Sequence, residues 1–73
     1  MNTTDTLIPV GSRWRDRSGE GYRLEVTGVP EPSGDRLEVP VRLWGPKRPD
    51  SDPGQPSRCG VLLILIAYVR ICP

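Results

Sequence analysis

Few side chains in this sequence have the company that catalysis requires. Asp50 and Asp52 stand two apart inside a proline-rich stretch. Two carboxylates without a rigid frame are solvated, and a metal site needs more oxygen ligands than that stretch offers in order. Asp16 and Glu20 flank Arg17-Ser18-Gly19, where turn chemistry accounts for them. Histidine is absent, which removes the commonest general base and metal ligand. The two cysteines, Cys59 and Cys72, cannot complete a structural zinc site unaided. No Ser-His-Asp set, Cys-His pair or Gly-rich phosphate loop with lysine is present. The expectation is a protein that is not an enzyme and carries no cofactor.

What remains is recognition. Nine of the ten basic residues are arginine, whose planar fork binds carboxylate and phosphate through two parallel hydrogen bonds. A GC-rich coding sequence accounts for the same bias. Strand alternation turns Trp44 away from Leu43 and groups it with Arg42, with Lys47 and Arg48 close behind. Tryptophan among arginines is the composition of an interface hot spot and of a base-stacking platform. The competing reading has Trp44 closing the core under the loop that follows it. Arg13, Arg15 and Arg17 alternate with Ser12, Trp14 and Asp16, so the arginines share one face as a phosphate-facing stripe or a solvated surface. The candidate partner-binding residues are Trp44, Arg42, Lys47, Arg48, Arg13 and Arg15.

The elements that must position them read as strands. Gly11 to Arg17 is the first, with Trp14 as its inward anchor, and Ser18 to Gly21 is a turn. Tyr22 to Val29 is the second, with Tyr22, Leu24 and Val26 alternating against Arg23, Glu25 and Thr27. Pro30 to Gly34 breaks it. Arg36 to Trp44 is the third, with Leu37, Val39, Val41 and Leu43 on one face. Pro40 cannot donate to a ladder, so this strand is expected to be an edge or to bend there. Opposite charges on the polar faces of the second and third strands are placed to pair across the hairpin.

Gly45 to Arg58 holds four prolines, two glycines and no large apolar residue. It reads as a long flexible loop, or as a polyproline ligand through its Pro46/Pro49 and Pro53/Pro56 spacings. Val61 to Val69 is nine consecutive apolar residues, too short for the ~20 that cross a bilayer. Such a run fits a strand buried on both faces, and a helical turn near Ala67–Arg70 is the alternative. Non-local pairing is expected to centre on this C-terminal strand. At the other end, Met1 to Thr6 reads as frayed polar chain, with Leu7 and Ile8 tucked onto the core.

Length and charge bound the rest. Seventy-three residues make one domain at most, whose core rarely supplies more than ~3–5 kcal/mol net. A net charge of +1 is neither the footprint of a nucleic-acid domain nor that of an acidic mimic. The polar start, with no apolar run after it, gives no signal peptide, so a cytoplasmic location with two buried free thiols is expected. A Cys59–Cys72 bridge is the alternative on spacing.

Gly11-Ser-Arg-Trp14-Arg-Asp16-Arg-Ser-Gly19, followed by Tyr22-Arg-Leu-Glu-Val26, resembles the opening of small SH3-like barrel proteins carried by phages and prophages. The likeness covers about a third of the chain, and the proline-rich loop and apolar C-terminal run depart from it. It implies a partly open barrel and a protein that acts by binding a host protein, including as an inhibitor of host defence. The fold expectation is all-β: an SH3-like barrel of four or five antiparallel strands with a long loop. The leading functional expectation is a protein-binding module. A nucleic-acid-binding barrel and a subunit stable only in an oligomer, with Val61–Ile71 at the interface, are the alternatives.

Overall fold

The computed structural model describes residues 7–49 and 51–72, with the side chain of Cys72 left out. Expectations for residues 1–6 and for Asp50 lie outside the described residues. Among the described elements the fold is mostly antiparallel sheet with one short helix, Val61–Ala67. Its elements are β1 (Arg13–Asp16), β2 (Arg23–Val26), β3 (Glu31–Ser33), β4 (Arg36–Trp44), β5 (Gln55–Gly60), α1 (Val61–Ala67) and β6 (Tyr68–Cys72).

β4 is the hub. Its residues 41–44 pair with β2 and its residues 36–38 pair with β3, while β5 pairs with residues 38–43. Glu38 and Val41 each have partners on both sides, so β2 and β3 follow one another along one edge of β4 and β5 lies along the other. β1 then pairs β2, and β6 pairs β1. The sheet therefore runs from β5 to β6 and does not close on itself. The expectation that non-local pairing centres on the C-terminal strand is corrected: β6 pairs only β1 among the described residues, and β4 carries three partners.

Proline at the middle of so central a strand requires a local accommodation. Thr27 donates its amide to the Pro40 carbonyl at 2.9 Å. In an antiparallel strand the N–H and C=O of one residue face the same neighbour. The missing Pro40 amide therefore faces residues 27–30, the interval between β2 and β3 where no ladder partner is needed. Gly28 lies so close to Pro40 that a β-carbon there would stand 2.5 Å from Cγ. Pro40 thus marks an interruption in the neighbouring strand. It does not make β4 an edge.

The core is built as alternation requires. Ser12, Trp14 and Asp16 are buried and Arg13, Arg15 and Arg17 are exposed. Leu24 and Val26 point inward with Val39 and Val41, joined by Ile8, Cys59, Val61 and Ile64. Trp14 satisfies its buried indole by donating to the Ser12 hydroxyl at 2.9 Å, which donates in turn to the Pro9 carbonyl at 2.6 Å. Tyr22 departs from the expected inward set and is exposed, as is Leu7. Cys59 is a free, buried thiol, and burial followed by the Glu38 charge pushes its pKa up.

Two stretches differ from the sequence reading. Residues 55–58, read as loop, are the first part of β5, because backbone pairing to β4 does not need apolar side chains. Val61–Ala67 is a helix, not a doubly buried strand, and it lies before the helical turn considered at Ala67–Arg70. Only Val61 and Ile64 are fully buried, with Leu65 half-buried, the three-and-four spacing of one helix face. A run apolar at every position carries no period, so the sequence could not separate the two. The helix leads from β5 to β6, the two ends of the open sheet, and drops Ile64 into the core between them.

The β1–β2 turn is held by Asp16. Its carboxylate accepts from the Ser18 hydroxyl at 2.6 Å and from the Glu20 and Gly21 amides at 2.8 and 3.1 Å. The Ser18 bond first, with the amides behind it, lowers the Asp16 pKa against the opposing effect of burial. A carboxylate with a depressed folded pKa contributes stability that is present above its unfolded value, about 3.9, and lost as pH falls through the folded value. Asp16→Asn should therefore lower stability at neutral pH and flatten the acid limb of a stability profile followed by circular dichroism below pH ~4. Ile64→Ala should cost about 2–5 kcal/mol in urea unfolding, comparable to the net stability of so small a core. Deleting residues 61–73 removes Ile64 and β6 together, and that protein should show no cooperative transition.

Candidate functional site

The outward face of the sheet gathers most of the residues singled out by type. Register places Arg13 opposite Glu25 and Glu25 opposite Arg42, forming one row across β1, β2 and β4. The next row is Arg15, Arg23 and Trp44. Four arginines from three adjacent strands thus share a surface with one carboxylate and one indole. The long side chains stay outside because the alternate positions, Trp14, Leu24, Val41 and Leu43, supply the inner face.

The carboxylate organises one end of this face. Arg13 Nε stands 3.6 Å from Glu25 Oε2, a partly exposed pair that contributes modestly. The opposite charges expected to pair across the β2–β4 hairpin are in register as Glu25 and Arg42, while the Glu25 contact formed on the other side is to β1. Between the two rows opens a groove of about 290 Å³ lined by Arg13, Arg23, Glu25, Trp44 and, from β6, Ile71.

Trp44 is half-buried and anchored. Its indole N–H donates to the Asp52 carbonyl at 2.7 Å, and the Arg23 guanidinium lies 6.0 Å from the ring centroid, within cation–π range. Gly54, at φ +77, packs so tightly on the indole that a β-carbon would stand 2.8 Å from Cε2. The ring both closes the chain under residues 45–54 and lines the groove. The hydrogen bond and the Gly54 contact fit the reading in which Trp44 closes the core under the chain that follows it.

The connection that follows is tied to the same arginines. Arg23 donates to the Arg48 carbonyl at 2.6 Å and Arg42 to the Pro53 carbonyl at 3.2 Å. Asp52 accepts from the Gly54 amide at 2.8 Å, and Arg48 Nη1 stands 3.6 Å from its carboxylate. Lys47 sits exposed at the tip with a left-handed φ of 66. Arg13, Arg15, Arg42 and Trp44 are therefore brought to one face, while Lys47 and Arg48 belong to the connection at its rim. Sequence reasoning left out Arg23, Glu25 and Ile71. Alternation already put Arg23 and Glu25 on the polar face, but only strand register sets Arg23 beside Trp44.

The arrangement offers cations, one carboxylate, an aromatic edge and no activated nucleophile. Guanidinium groups so placed can pair with carboxylate or phosphate oxygens. Among the described residues no cluster of three or more acidic, Cys or His side chains is placed to hold a metal, and every buried side-chain nitrogen and oxygen has a partner.

Gly54→Ala should force the Trp44 ring off its seat, since both the backbone conformation and the space exclude a β-carbon. Of the two indole N–H resonances in an amide-detected spectrum, the one from Trp44 should move and broaden while that of Trp14 holds. No protein-family model, curated protein or solved structure matches the chain.

Proposed function

We propose that this chain is a non-enzymatic protein-binding module that docks an acidic protein surface on the outward face of β1, β2 and β4. The observation that carries the reading is the two-row cluster Arg13–Glu25–Arg42 and Arg15–Arg23–Trp44. Guanidinium groups held on a rigid sheet meet carboxylates in planar pairs with little ordering cost. Glu25 inside the cluster favours a partner of mixed charge, since a uniformly anionic strand would meet it as a like charge. The groove between Arg13 and Trp44 gives such a partner a place to seat one side chain.

The packing of Trp44 supports this reading over a nucleic-acid barrel. A base-stacking platform needs an open aromatic face. Here Arg23 lies over the indole and Gly54 packs against it, so the aromatic contributes its edge.

An SH3-like, partly open barrel is supported by the β1–β2–β4–β5 order, by β6 returning to β1, and by a short helix between β5 and β6. On that reading β2 and β3 are one long strand interrupted opposite Pro40. The likeness of residues 11–26 to phage-borne barrels supports a host protein as the target and modulation of a host complex as the outcome.

The test is capture by tagged protein from host lysate, with and without nuclease, read by mass spectrometry. The expected result is a stoichiometric acidic partner that survives nuclease and is lost on Arg15→Glu/Arg42→Glu, with the variant's fold intact by circular dichroism. Recovery that vanishes with nuclease would replace this reading with nucleic-acid binding, whose affinity falls steeply with salt. A partner that binds the double variant unchanged would remove the arginine face from the function.

A further inference from the structure

The helix α1 has the sequence Val-Leu-Leu-Ile-Leu-Ile-Ala, with no polar side chain on any side. A helix apolar all round belongs in an interior. Yet Leu62, Leu63 and Ile66 are 73, 54 and 70% exposed. Leu62 and Ile66 stand four apart and so lie one above the other on the outward side, making a ridge. A groove flanks this ridge on each side. One, of about 660 Å³, runs between Leu62 and Leu37 with Asp35 and Arg36 at its rim. The other is a shallow, open depression between Ile66 and Tyr22, with Arg17 and Glu20 at its rim.

We infer that this ridge and its grooves form the contact by which two copies of the chain associate about a two-fold axis. Three features select a second copy as the occupant. The ridge stands beside two apolar depressions, so a second copy can set its ridge against them as an isologous interface requires. The surface is self-complementary in charge. The neighbouring Asp35 and Arg36 at one rim let each copy's carboxylate meet the other's guanidinium, and both pairs form at once under a two-fold. A net charge of +1 adds little opposing repulsion.

The third feature is need. A domain of this size is commonly stapled by a disulfide, a metal or a partner subunit. Cys59 is free, and no metal-binding cluster occurs among the described residues. None of the residues lining the arginine groove lines these two, so a failure here leaves the proposed docking face untouched, and the reverse.

Sedimentation equilibrium of the full chain over about a thousandfold concentration range tests the inference. A dimer that dissociates on dilution is expected. Leu62→Ser/Ile66→Ser should raise its dissociation constant by about tenfold or more, as loss of a central apolar anchor does. Both side chains are outside the core, so the variant should keep its amide spectrum. Asp35→Arg should weaken the dimer, and Asp35→Arg/Arg36→Asp should restore it, since the swap re-forms both pairs under the two-fold. A monomer at every concentration would overturn the inference, as would a dimer indifferent to the Leu62/Ile66 change. A monomer that instead sediments with anionic vesicles through Leu62 would assign the ridge to a membrane surface and overturn it equally. A charge swap that fails to restore association would overturn the two-fold arrangement.

Discussion

Everything in this molecule depends on one strand being paired along both edges. β4 is nine residues long and holds β2 and β3 on one side and β5 on the other. Its inward residues Val39 and Val41 are among the most buried of those described, and its outward residues Arg42 and Trp44 stand on the face shared with β1 and β2. A short domain has little surface to bury, so a strand that serves three partners and two faces concentrates what stability is available. Pro40 is tolerated at its centre only because the neighbouring chain steps away where the amide is missing, with Gly28 leaving room for the ring.

The open sheet sets the second constraint. Its two ends, β5 and β6, do not pair with each other, and α1 carries the chain from one to the other. Ile64 fills the interior there. The opposite side of so short and apolar a helix has nowhere to turn but outward. The same geometry that completes the core therefore creates the most exposed apolar residues of the molecule. The arginine face arises by a parallel logic: strands whose inner positions are committed to valine, leucine and tryptophan leave their alternate positions for long charged side chains.

The two surfaces differ in kind. The face on β1, β2 and β4 is polar, ordered by Glu25, and stitched to the connection after Trp44 through Arg23 and Arg42. It suits a partner recognised by charge and shape. The ridge on α1 is apolar and rimmed by single charges of both signs, which suits a partner held by burial.

Period-two alternation made β1, β2 and β4 legible from the chain alone, together with the inward place of Trp14 and the turn role of Asp16, because each follows from local geometry. Arg13, Arg15, Arg42 and Trp44 were legible as outward residues for the same reason. The beginning of β5 was hidden, since Gln55 to Arg58 enters the sheet through backbone pairing that leaves no pattern in side-chain type. The helix was hidden because an unbroken apolar run has no period to read. Arg23 became a neighbour of Trp44 only through register, and register is a relation between strands that no single segment encodes. The sequence by itself determined which side chains face in and which face out along each strand, because alternation is a property of the backbone. Tertiary structure alone decided which strands lie side by side, how Pro40 is accommodated and which side of α1 is left uncovered, because those depend on partners distant in the chain.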